Sequence, residues 1–93
     1  MATYVLLGTL TEEGVEKLQS DPGQFEAVKK TLEKMDVQIV AQYAVLGPYD
    51  IVTIIEAPDN RTVVRVSTQL SLQGLLKITT LPALPVDDFL ASL

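Results

Sequence analysis

An α+β sandwich, a four-stranded antiparallel sheet with two helices on one face, is predicted from three features of this sequence. Four short runs rich in β-branched and apolar residues alternate with two stretches of helical apolar spacing, in the order β-α-β-β-α-β. The two middle runs flank Leu46-Gly47-Pro48-Tyr49-Asp50, where Gly-Pro is strong turn punctuation, so they form a hairpin. The strand runs also carry large apolar residues on both faces, which bears on assembly as much as on fold.

Thr3 to Leu10 is the first strand, with Gly8 marking close packing or a bulge. Thr11 suits a helix N-cap, and Glu12 and Glu13 suit the positive end of the helix dipole. Val15 and Leu18 give that turn an apolar face. Pro22 cannot continue a helix interior, so the helix restarts at Ser20-Asp21-Pro22-Gly23. From Gln24, the apolar positions Phe25, Val28, Leu32 and Met35 form one buried stripe. Val37 to Leu46 is the second strand and Asp50 to Ala57 the third. Pro58-Asp59-Asn60 turns the chain, with Asp59 or Asn60 as cap, into a helix over Arg61 to Gln73. Val63, Val66 and Leu70 line that helix, and Gly74 ends it. Leu75 to Leu81 is the fourth strand, ended by Pro82 and Pro85. Val86 to Leu93 forms a short helical turn capped near Asp87. Two split β-α-β units in this order give a ferredoxin-like sandwich.

At 93 residues the chain is expected to be one domain, 1–93. No apolar run approaches the roughly 20 residues of a membrane span. Met1-Ala2-Thr3-Tyr4 lacks a basic n-region and cysteine is absent, so a cytoplasmic protein is expected. The net charge of −5 argues against a nucleic-acid partner, since duplex binding needs cations against phosphate. Lys29, Lys30 and Lys34 stand at helical spacings from Glu26 and Glu33, the pattern of a solvated, salt-bridged face.

Two helices cover only one face of a four-stranded sheet. In the second strand Val37, Ile39, Ala41, Tyr43 and Val45 alternate with Gln38, Val40, Gln42, Ala44 and Leu46, so both faces carry apolar residues. The third strand sets Ile51, Thr53, Ile55 and Ala57 against Asp50, Val52, Ile54 and Glu56. An uncovered apolar face of that size exceeds what a monomer ordinarily exposes. A second copy packed face to face is therefore expected: a homodimer, with a higher oligomer as an extension, its two sheets approximating a barrel.

With neither histidine nor cysteine, a catalytic serine has no imidazole partner and most metal sites lose their ligands. No metal or cofactor is expected. Asp87-Asp88 is explained by a helix start, and Glu56 is a strand-end carboxylate without a visible partner. Tyr49 and Asp50 are the main candidates: a tyrosine offers its hydroxyl to a ligand while the carboxylate accepts hydrogen bonds. Closure of the turn, ligand contact and proton handling all remain open for this pair. Tyr43, like Tyr4, is an amphipathic ring at a sheet position, suited to packing and secondarily to binding.

Met1-Ala2-Thr3-Tyr4-Val5-Leu6-Leu7-Gly8, Leu10-Thr11 with Glu13-Gly14, and above all Gly47-Pro48-Tyr49-Asp50 resemble the GYD domain family. Its glycine, tyrosine and aspartate are matched by Gly47, Tyr49 and Asp50. Glu56-Ala57-Pro58-Asp59 and a closing segment with Phe89 and Leu90 fit as well, so the resemblance spans the chain. It implies a small protein of the dimeric α/β-barrel superfamily. The Gly-x-Tyr-Asp hairpin is also similar to that of the amino-acid-sensing domain in leucine-responsive-type regulators, where small ligands bind between subunits. The expected function is binding of a small metabolite near the subunit interface, contacted by Tyr43, Gly47, Tyr49 and Asp50. A cofactor-independent monooxygenase- or isomerase-like enzyme using Tyr49 and Asp50 is one alternative. A structural or protein-interaction module is the other.

Overall fold

The computed structural model describes residues 1–93. Its elements are β1 (Ala2–Leu10), α1 (Glu12–Ser20), α2 (Gly23–Glu33), β2 (Gln38–Ala44), β3 (Ile51–Ala57), α3 (Asn60–Leu72), β4 (Leu76–Ala83) and α4 (Val86–Ala91). The sheet order is β2-β3-β1-β4 with every neighbouring pair antiparallel, the ferredoxin-like arrangement expected from two split β-α-β units.

Alternation along the strands defines two faces. Tyr4 and Leu6 of β1, Ile55 and Ala57 of β3, and Leu76 of β4 point toward the helices and are buried. Val28 and Leu32 of α2 and Val63, Val66 and Leu70 of α3 close the core from above. Both helices present the predicted stripes. The restart at Pro22 is also present, with the Asp21 carboxylate accepting from the Gly23 N–H.

Four details differ from expectation. First, β2 ends at Ala44, and a bulge between Ile39 and Ala41 leaves Val40 without a partner on β3. One extra residue reverses the alternation that follows it. Ile39, Gln42 and Ala44 therefore share the helix side with their β3 partners Ile55, Thr53 and Ile51, while Ala41 and Tyr43 face outward. Second, β4 continues through Pro82 to Ala83, which pairs with Thr3. β4 is an edge strand bonded only to β1, so a proline lacking N–H is accommodated there. Third, α4 starts after Pro85 with no side-chain cap, and Asp87 lies inside its first turn. Fourth, Lys29, Lys30 and Lys34 form no ion pair with Glu26 or Glu33. The chain's one salt bridge is Lys17–Glu13 on α1, at 2.9 Å.

Candidate functional site

The Gly47–Asp50 turn sits at the end of the sheet where β1 finishes and α1 begins. Gly47 has φ +107°, a conformation that side chains with Cβ rarely adopt, and the space around it is open. The backbone angle, and not crowding, is what calls for glycine here. Asp50 engages three ways. Its C=O accepts from the Val45 N–H at 2.9 Å, closing the turn, and its N–H donates to the Gly8 C=O at 2.9 Å. Its carboxylate accepts from the Leu10 N–H at 2.8 Å. One residue thus ties the hairpin to the last turns of β1, and charge-assisted bonds of this kind are the stronger ones.

A second bracket completes the same end. The Thr11 N–H donates to the Leu75 C=O at 3.1 Å. The Thr11 hydroxyl donates to the Gly74 C=O at 2.6 Å and accepts from the Gly14 N–H at 2.8 Å. Gly14 lies so close to this crossing that an added Cβ would stand 2.2 Å from the Leu75 carbonyl oxygen. Gly74, at φ +77°, supplies the left-handed exit of α3.

Of the four candidate ligand residues, Gly47, Tyr49 and Asp50 lie together in this turn. Tyr49 is half-buried, and its hydroxyl makes no hydrogen bond within the chain. Tyr43 is 58% exposed on the outer face, opposite Val52. Tyr4, by contrast, is core: its ring is buried and its hydroxyl donates to Asn60 Oδ1 at 2.5 Å. Glu56 is half-buried on the outer face between Thr3 and Gln38. No group of three or more acidic side chains converges to hold a cation.

Internal space is small. A partly open void beneath Gly8, lined by Phe25, Gln42 and Ile78 among others, measures about 10 Å³, room for one water. A larger open cleft of about 260 Å³ lies at the opposite end of the sheet, between α3 and the edge strand β4. Tyr4, Asn60, Val63, Val64, Thr80 and Pro82 line it.

The outer face of the sheet is apolar at its centre. Val5 and Leu7 of β1 and Val52 and Ile54 of β3 form its centre, extended by Ala41, Tyr43 and Leu81. Thr3, Thr9, Glu56, Lys77 and Thr79 ring it. No helix of this chain covers it.

Two features escape a reading of the sequence: the cleft and the exposure of the C-terminal arm. The cleft depends on how α3 sits over β4, which no local pattern encodes. The arm does carry a signal, since Val86, Phe89, Leu90 and Leu93 fall at i, i+3, i+4 and i+7, yet none is buried.

No helix is long and apolar enough to cross a membrane. Compared with known proteins, the chain is 46% identical over 94 residues to the glutamine synthetase and cystathionine beta-lyase binding protein of Thermus thermophilus. That match covers 100% of this chain and 99% of the relative. The crystal structure of TTHA0845, also from Thermus thermophilus, superposes with a TM-score of 0.60 at 28% identity, covering 90% of this chain and 94% of that one. Residues 4–93, a span that includes Gly47, Tyr49 and Asp50 of the β2–β3 turn, match the GYD domain, and the chain belongs to the GYD domain family.

Proposed function

We propose that this chain is a protein-binding module that attaches to metabolic enzymes, with glutamine synthetase and cystathionine β-lyase the first two to test. The observation that carries this reading is the end-to-end relative, 46% identical and named for binding those two enzymes. At that identity over the full length the two chains share a fold.

The architecture supports it in two ways. The chain holds a void of only about 10 Å³, so its own interior offers no chamber for a metabolite. Its unused apolar area lies instead on an open sheet face, the kind of surface that meets another protein. We assign that face to self-association in a symmetric homodimer. Its centre of Val5, Leu7, Val52 and Ile54 is self-complementary in chemistry, as a two-fold interface requires. Enzyme docking then falls to the surfaces the dimer leaves free. The Gly47–Asp50 turn is a bracing element in this reading.

The test is calorimetric titration of the purified protein into purified glutamine synthetase and, separately, cystathionine β-lyase from the same organism, alongside native mass spectrometry of the protein alone. Saturable binding to at least one enzyme, by a ligand-free dimer, is expected. Silence with both enzymes, together with a retained small molecule that Tyr49→Phe releases, would overturn this reading in favour of a metabolite site.

A further inference from the structure

No residue of the C-terminal arm is buried. Residues Val86, Phe89, Leu90 and Leu93 make a helical apolar stripe, and all four are more than half exposed, Phe89 least at 51% and Leu93 most at 85%. Leu84, which leads into it, is 61% exposed. A helix of six residues is far below the roughly 12 needed for even marginal stability alone, so its conformation requires a surface to fold on.

In its own protomer the arm is seated on no such surface. Only Leu84 and Pro85 separate β4 from α4, Pro85 is extended, with φ −56° and ψ 141°, and no residue of the arm is buried. The molecule is 48 × 29 × 17 Å in extent, with a radius of gyration of 13.9 Å. A compact chain of this length has a radius of about 12 Å. Its accessible surface of 6129 Å² exceeds by roughly 850 Å² the value expected of a folded monomer of this mass. One partner contributes a comparable area, about 800 Å², to a standard protein–protein interface.

A fitting groove exists on the same chain. The open cleft between α3 and β4 has Val64 and Pro82 on its walls, with the buried Val63 and Tyr4 at its floor. Arg61 and Arg65 lie one turn apart on the exposed side of α3, next to the cleft-lining Val64; neither forms a salt bridge, and Arg61 also stands near the Asp59 carboxylate. The arm carries Asp87 and Asp88 beside its stripe, equally unpaired. An acidic amphipathic helix and a largely apolar cleft, with two arginines on the adjoining solvent side of α3, are complementary in polarity and charge.

We propose that the arm, residues 84–93, docks into the α3–β4 cleft of a second copy of this chain. The proposal rests on self-association as read above, and adds to it a separate contact that the sheet faces do not need.

The test is amide exchange at Phe89 and Leu90 read together with sedimentation velocity, on the full chain and two charge-reversed variants. These are Arg61→Glu with Arg65→Glu, and Asp87→Lys with Asp88→Lys. Raising the concentration of the unaltered protein is expected to slow arm exchange by about tenfold or more. Each variant alone sets like charges together and keeps the fast exchange, while an equimolar mixture pairs opposite charges again and restores the slow one. Fast exchange at every concentration in a protein that still sediments as a dimer overturns the arm contact and leaves the sheet-face dimer standing. Slow exchange that ignores concentration and mixing places the arm on its own chain, which overturns the proposal as well. Protection that appears only on adding glutamine synthetase or cystathionine β-lyase gives the arm to the enzyme instead. A monomer with a fast-exchanging arm removes both the arm contact and the dimer.

Discussion

Ile54 and Ile55 are chemically identical neighbours on β3, and they meet opposite fates. Ile55 points to the helices and is wholly buried, whereas Ile54 points outward and stays partly exposed. The same contrast runs across the sheet: Leu6 is buried and Leu7 is not, Thr53 is buried and Val52 is not. Hydrophobicity alone therefore does not define this core. The core is whichever apolar face the chain's own helices reach, and the proposed self-association gives the second face a reason to be apolar that lies outside the single chain.

The largest separation between the faces comes from truncating that isoleucine pair. Ile55→Ala opens a cavity in the closed core and is expected to cost about 4 kcal/mol in denaturant unfolding. Ile54→Ala is expected to cost under about 1 kcal/mol when melted as a dilute monomer, while weakening self-association on concentration. Equal losses from the two variants at low concentration would mean that the outer face belongs to the protomer's own core.

Gly14 tests the covered side at its tightest point. Gly14→Ala drives a methyl group against the Leu75 carbonyl, a backbone atom that has no rotamer in which to move away. Overpacking of this kind is expected to cost about 3 kcal/mol, with α1 or the start of β4 displaced. A neutral substitution there would show that α1 shifts freely on the sheet.

Asp50 joins the two regions and gives a smaller effect. Asp50→Ala removes the acceptor of the Leu10 N–H and is expected to lower stability by about 2 kcal/mol. Asp50→Asn keeps an acceptor oxygen and is expected to recover most of that loss. If Asp50→Ala leaves the melt unchanged but abolishes binding of a ligand, the turn is a site and not a brace.

The element order, both helical stripes and the hairpin are legible in the sequence because each is written in local periodicity or in a residue of special backbone freedom. The two-faced sheet is legible for the same reason. The parity of β2 is not: the bulge at Val40 depends on pairing with β3, and it puts Ile39 on the helix side while sending Ala41 and Tyr43 outward. Pro82 reads as a strand terminator, yet it lies within β4, because sequence does not reveal which strand lies at an edge. At the turn, Gly-Pro-Tyr-Asp marks itself by residue type alone. That Asp50 bonds across to Leu10, forty residues away in sequence, is a property of register.

The smallest effect is electrostatic and lies at the start of α3, the helix that covers the inner face. Asp59 is the N-cap, its carboxylate accepting from the Thr62 N–H and the Thr62 hydroxyl, both at 2.9 Å. The Thr62 N–H bond, then the Thr62 hydroxyl and more weakly the charge of Arg61, hold its pKa below the ordinary value of 3.8. A carboxylate depressed on folding contributes stability that is fully present above its unfolded pKa and lost as pH falls through the folded one. The contribution is therefore constant at neutral pH and disappears in acid, below the ordinary value of 3.8. Asp59→Asn retains a capping oxygen but no charge. Thermal melts of the two proteins are expected to differ slightly at about pH 7 and to converge as pH falls below about 4, the charged cap being the only element removed. A gap that stays constant into acid would show that the hydrogen bonds, and not the charge, start this helix.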